Sequence, residues 1–104
     1  RHIKCCFDNF LDGKTLTADI VLSQPQMDSM VIATPWEKDK HFYYNQKINT
    51  MPASGEVSFD GVIYRFDPEH DFGTLDWGRG VWTYDNTWYW GNGNARVDGH
   101  SRSA

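Results

Sequence analysis

The sequence predicts an all-β fold, an antiparallel meander that forms part or all of an up-and-down β-barrel. Three observations point there. Asp-Gly pairs recur at Asp12-Gly13, Asp60-Gly61 and Asp98-Gly99, and such a pair between alternating segments favours a two-residue hairpin turn with positive φ at both central positions. The flanking segments are rich in β-branched and aromatic residues with a period of two. No segment keeps the period of an amphipathic helix for the length that a stable helix needs. Short connections then favour a barrel of about seven or eight strands over a sandwich.

The first hairpin, about Asp12-Gly13, puts Ile3, Cys5, Phe7 and Leu11 on one side with Leu16, Ala18, Ile20 and Leu22. Asp8, Thr15, Thr17 and Asp19 go to water. "QPQMDS" is a Pro-containing loop. "SMVIATPW" and "HFYYNQKINT" read as two strands joined by the charged turn "EKDK", and "TMPASG" reads as a loop of small residues. About Asp60-Gly61, Phe59 faces Val62, Val57 faces Tyr64 and Gly55 faces Phe66, which gathers five apolar side chains on one face. Glu56 lies across from Arg65 on the other face, so the register separates apolar from charged residues. "FDPEHDFG" bends the chain, and Val81 to Trp90 is expected to form a further strand. Its even-numbered face would carry Trp82, Tyr84, Asn86, Trp88 and Trp90. "GNGN" and "ARVDGH" then read as polar turns, with one more strand expected after Asp98-Gly99. The least exposed residues should include Val57, Phe59, Tyr64, Trp82, Trp88 and Trp90.

With 104 residues the chain is expected to form a single domain, 1–104. A net charge of -4 and a pI near 5.4 argue against a surface that tracks phosphates, so no nucleic acid is expected as partner. No apolar run reaches the roughly 20 residues of a membrane-spanning helix. The start, "RHIKCCFDNF", lacks the apolar region of a secretory signal. It lies inside a strand, so an authentic N-terminus is expected upstream; localisation stays open, with the cytoplasm favoured. Cys5 and Cys6, adjacent in a strand, point to opposite faces and cannot pair with each other, Cys5 inward and Cys6 outward. His2, His41, His70 and His100 show no metal-ligand spacing, and there is no Cys-x-x-Cys, P-loop, dinucleotide fingerprint or Gly-x-Ser-x-Gly. Neither metal nor cofactor is expected.

The unusual feature is "LDWGRGVWTYDNTWYW", which holds four of the five tryptophans of a chain whose mean hydropathy is only -0.64. Two readings stand. The rings are core packing, or they wall a pocket for an apolar or flat molecule, or for a sugar stacked on indole. On the second reading Trp77, Arg79, Trp82, Tyr84, Asn86, Trp88 and Trp90 contact the ligand. Asp76 and Arg79, flanked by Gly78 and Gly80, form a structural ion pair at a strand bend, or Asp76 acts as a proton donor at the pocket mouth.

"FYYNQKINTMPASGEV" followed by "LDWGRGVWTYDNTWYWGNGN" resembles the family known as domain of unknown function 2804, and with the hairpin between them the likeness covers most of Asp39 to Asn94. The resemblance implies a calycin-like, lipocalin-like barrel, distantly similar to carotenoid hydratases and tocopherol cyclases; it implies no established activity. In such relatives an acidic residue would protonate an alkene while aromatic faces stabilise the cation. Family domains are longer, so the chain reads as a fragment of a longer barrel protein. Its open strand edges should drive homo-oligomerisation. Three classes are therefore carried forward: a module binding an apolar or isoprenoid-like small molecule, a cyclase- or hydratase-type enzyme using Asp76, and a structural or interaction domain.

Overall fold

All three Asp-Gly pairs make the turn their sequence calls for. Positive φ is found at both residues of each: Asp12 (50°) and Gly13 (73°), Asp60 (50°) and Gly61 (76°), Asp98 (50°) and Gly99 (74°). This is the type I′ geometry whose twist matches that of the flanking strands. The computed structural model describes residues 1–36 and 40–103. Its strands are β1 (His2–Leu11), β2 (Lys14–Leu22), β3 (Met30–Pro35), β4 (Phe42–Phe59), β5 (Val62–Phe66), β6 (Phe72–Val81), β7 (Asn94–Val97) and β8 (His100–Ser103). The turns join β1 to β2, β4 to β5 and β7 to β8. The fold is all-β and antiparallel, with the sheet curled into a half-barrel. Among the described residues no helix is long and apolar enough to cross a membrane.

The β4–β5 register is the one expected: Phe59 opposite Val62, Val57 opposite Tyr64, Gly55 opposite Phe66 and Glu56 opposite Arg65. Arg65 Nε lies 3.5 Å from Glu56 Oε2. In β1–β2 the register slips by two residues between Phe7 and Leu11, so that Phe7 faces Leu16, Cys5 faces Ala18 and Ile3 faces Ile20. The slip is stabilised locally. Gly13 N–H donates to Asn9 Oδ1 at 2.9 Å, and Thr15 Oγ1 donates to the Asp8 carbonyl at 3.1 Å. A one-residue slip would have turned every side chain over, whereas two residues preserve the faces. Cys5 is accordingly half-buried and Cys6 exposed. In the "FDPEHDFG" bend, Asp67 accepts the Glu69 N–H on its carboxylate and the His70 and Asp71 N–H groups on its carbonyl. The Glu69 N–H, with His70 second, holds the Asp67 carboxyl below its ordinary range.

The 18-residue β4 is the spine. Its first half lies between β3 and β6, and its second half between β2 and β5. The pairings β2–β4 and β4–β6 thus skip a strand in the sequence. "TMPASG", expected as a loop, instead lies inside β4. It holds the switch between the two halves: Thr50 has φ 47°, and the β4–β6 register shifts between Ile48 and Met51. The small residues are there because the bend is buried. Ile48, Thr50, Met51 and Ala53 are each at most 4% exposed and, with Ala18, form the core.

Two further expectations are corrected. Val81 to Trp90 is not a strand: β6 ends at Val81, which pairs with Phe42, the first residue of β4, so no ladder remains beyond it. Thr83 Oγ1 donates to the Asp85 carbonyl and Asn86 Nδ2 to the Thr83 carbonyl, which folds a turn in place of a strand. The expected core residues are also displaced, because the half-barrel is open. Val57 and Phe59 are half-buried, while Tyr64, Trp82, Trp88 and Trp90 are exposed. The radius of gyration is 17.5 Å, against about 13 Å for a compact domain of this length. Asn94–Val97, read as part of a turn, is a strand that pairs with the one expected after Asp98-Gly99. The turn "EKDK" falls largely on residues 37–39, outside the described residues; beside it, Trp36 N–H donates to the His41 carbonyl.

Asp19 ties down the outer strand. Its carboxylate meets His2 Nε2 at 2.6 Å and Lys4 Nζ at 3.2 Å, and these two partners, His2 first, hold its carboxyl below the ordinary range. A carboxyl lowered on folding stabilises the folded state above its unfolded titration range and loses that contribution as pH falls through the folded value. Protection of the β1 amides, taken relative to the intrinsic exchange rate at each pH, should therefore fall on acidification below the ordinary carboxylate range, and Asp19→Asn should show low protection already at neutral pH with a flatter acid response.

Candidate functional site

On β4, alternation places Tyr43, Asn45 and Lys47 on one face. Their β3 neighbours are Thr34 and Ile32, opposite Tyr43 and Asn45. Their β6 neighbours are Gly80, Gly78 and Asp76, in that order. Together with the segment after β6, this face lines a cavity of about 600 Å³. Trp82, Asn86, Trp88 and Trp90 form its far wall. Gly78 shapes the floor: a Cβ there would lie 2.7 Å from a Tyr43 ring carbon, so only glycine lets that ring lie across the strand. The Tyr43 ring reaches Trp82, with centroids 5.6 Å apart.

Lys47 is 5% exposed, an unusual position for a lysine unless it is paired. Its Nζ lies 2.5 Å from Asp76 Oδ1 and 4.2 Å from the centre of the Trp90 ring, so one cation is held by a carboxylate and an indole face together. Asn45 is 1% exposed, and its Oδ1 has no hydrogen-bond partner among the described residues.

"GNGN", read as a polar turn, fastens the aromatic segment to the spine. Asn94 Oδ1 accepts the Thr50 N–H at 2.7 Å, and Asn94 Nδ2 donates to Thr74 Oγ1 and Asn92 Oδ1. Asn92 Nδ2 donates to Asn49 Oδ1 at 2.6 Å. These bonds connect β4, β6 and the chain just after Trp90, and so set where that indole lies.

Of the residues expected at a pocket, Asp76, Trp82, Asn86, Trp88 and Trp90 come together. Trp77 and Arg79 face the other side of the sheet, where Trp77 packs edge-on against Tyr44 with centroids 6.0 Å apart. Tyr84 is fully exposed. The expected Asp76–Arg79 pair does not form, because residues three apart on a regular strand point to opposite faces; Asp76 pairs instead with Lys47, directly across from it. Lys47, Asn45 and Tyr43 were not anticipated. Their signal was an Asn and a Lys on alternate positions of the strand "FYYNQKINT", where a buried strand would carry apolar residues.

Breaking a buried pair costs more than replacing its ion by an apolar group of similar shape. Asp76→Ala should therefore lower the unfolding free energy by about 1–2 kcal/mol, a value reduced because the Asp76 side chain is half-exposed. Lys47→Met should stay within about 1 kcal/mol of the parent. Urea denaturation of both variants checks the order.

No curated protein and no solved structure matches the chain. The family model described as Domain of unknown function (DUF2804) matches residues 1–103, a span that takes in the bent spine, the Asn92–Asn94 fastening and every residue of the cavity. With the match running over all but one of the 104 residues, the chain belongs to the DUF2804 family.

Proposed function

We propose that this domain is a binding module of calycin-like, partial-barrel form that takes up an apolar or flat, isoprenoid- or aromatic-like small molecule. The observation that carries the reading is the cavity: about 600 Å³, within the roughly 300–1,000 Å³ of small-molecule sites, with indoles in its walls beside the polar side chains of Asn45, Lys47 and Asp76. Trp82, Trp88 and Trp90 remain substantially exposed in a chain with little core, which suits rings waiting for a guest better than rings used as packing. An enzyme of cyclase or hydratase type is the second reading, favoured by Asp76 lying in that cavity beside three indoles that could stabilise a cation. The Lys47 ion pair supports Asp76 as an anchor for the ammonium.

An apolar fluorescent probe should bind the intact protein with quenching of tryptophan emission. Trp90→Ala should weaken that binding about tenfold, the scale of one lost ring face. Trp77→Ala, on the opposite face, and Tyr84→Ala, in solvent, should leave it unchanged. Equal losses in all three variants would remove the cavity from consideration. Product formation from an isoprenoid alkene, lost in Asp76→Asn with probe affinity retained, would favour the enzyme.

Self-association through open edges belongs to the same proposal. The chain exposes 8020 Å², against about 6,000 Å² for a compact monomer of its mass. Among the described residues no strand pairs with the outer edge of β1, and Ile3 and Phe7 on that strand are exposed. The isolated 104-residue segment should sediment as concentration-dependent oligomers; a strict monomer with slow amide exchange in β1 would contradict this.

A further inference from the structure

The cavity floor specifies more than apolarity. Asn45 lines it, 1% exposed, flanked on the same strand face by Tyr43 and Lys47, and its carboxamide oxygen accepts no hydrogen bond among the described residues. A buried acceptor left unpaired is costly, and native structures leave few. Neighbouring side chains do not relieve it. Lys47 directs its ammonium to Asp76 and the Trp90 ring, and Gly78, directly across from Asn45, has no side chain to offer. The terminal amide torsion is broad, so a small rotation presents the oxygen to a guest lying on the floor. Asp76 adds further acceptor capacity, since one of its two oxygens is taken by Lys47. The polar end of the cavity thus holds unspent acceptors beside a cation already engaged.

We infer that the ligand carries a neutral hydrogen-bond donor, a phenol or alcohol hydroxyl, on its apolar body, and that Asn45 reads that hydroxyl while the indoles of Trp88 and Trp90 cover the rest. The inference rests on the cavity reading above and adds the polar head group to it. An apolar guest without a donor would leave Asn45 unpaired. A guest whose head only accepts would leave the Asn45 oxygen unsatisfied.

The test is calorimetric titration of the intact protein with naphthalene, 2-methoxynaphthalene and 2-naphthol, which share one ring system and differ in the head group. 2-Naphthol should bind about tenfold more tightly than either of the others, the scale of one hydrogen bond to a buried acceptor. Asn45→Leu should remove that preference while keeping naphthalene binding. Equal affinity for 2-naphthol and 2-methoxynaphthalene overturns the role of Asn45 and leaves the cavity reading intact. A preference that survives in Asn45→Leu overturns it as well, by assigning the hydroxyl to another group. Failure of all three probes to bind overturns both readings. Equal affinity in the parent protein overturns the inference whether or not the variant folds.

Discussion

The structure depends on how one buried backbone N–H is satisfied. Thr50 sits in the left-handed region at the bend of β4, fully buried, with its N–H turned away from the strand ladder. A threonine in this conformation costs on the order of 1–3 kcal/mol and persists only where its surroundings hold it. An unpaired buried N–H would add to that cost. Asn94, 44 residues further along the chain, supplies the acceptor at 2.7 Å. The bond does two things at once. It permits the bend that lets a single strand pair with β2 and β5 at one end and with β3 and β6 at the other. It also brings the segment after β6 back against the spine, where Asn92 and Thr74 complete the fastening. Without the bend the two halves of the sheet would be coplanar. Without the fastening the indoles would have no fixed position.

The chemistry of the cavity follows from that placement. Trp90 stands two residues before Asn92, so fixing Asn92 fixes how far the indole can move from Lys47. The cation in turn draws Asp76 to the same spot from the adjacent strand. Burying an ammonium is unfavourable unless its partners are close and well oriented, and here the two partners come from β6 and from the segment after it. A leucine at the same position would fill the space with less risk to stability. What the lysine adds is orientation: it ties the aromatic wall to the β6 strand and leaves Asn45 beside it with an unused acceptor. The result is a polar cluster of Asn45, Lys47 and Asp76 beside the indoles, the arrangement on which the proposed binding role rests.

The remainder of the sheet is held mainly by its ladders and turns. Residues on one face of β1, β2, the second half of β4, and β5 form a continuous apolar band, with Leu16 opposite Phe59, Ala18 opposite Val57, and Ile20 opposite Gly55. No second layer covers this band among the described residues. Phe7 and Phe10 share their rings, and Phe10 meets Phe59 edge-on at 5.8 Å, yet Phe7, Phe10 and Tyr64 each stay more than half exposed. Exposed aromatic area of this extent is the surface that the proposed self-association would cover. It is distinct from the cavity, which is built on the other half of the spine.

What the sequence determined by itself was governed by neighbours along the chain. A type I′ turn needs only Asp-Gly and the twist of its flanking strands, so the hairpins about Asp12-Gly13 and Asp60-Gly61, the Val57–Tyr64 register and the Glu56–Arg65 pair were legible without a fold. Even where β1 slipped, the period of two kept the predicted faces, because the slip was even. The tertiary structure decided the rest. "TMPASG" carries loop-forming residues, and only the burial of the bend and the distant Asn94 make it strand. Val81 to Trp90 alternates like a strand, but a strand needs a partner; β4 begins at Phe42, so the ladder stops at Val81 and the rings become a wall. The same limit hid half of the site. Alternation alone shows that Asp76 and Arg79 point apart, but that Asp76 meets Lys47 depends on the pairing of two strands distant in sequence, which no local pattern encodes.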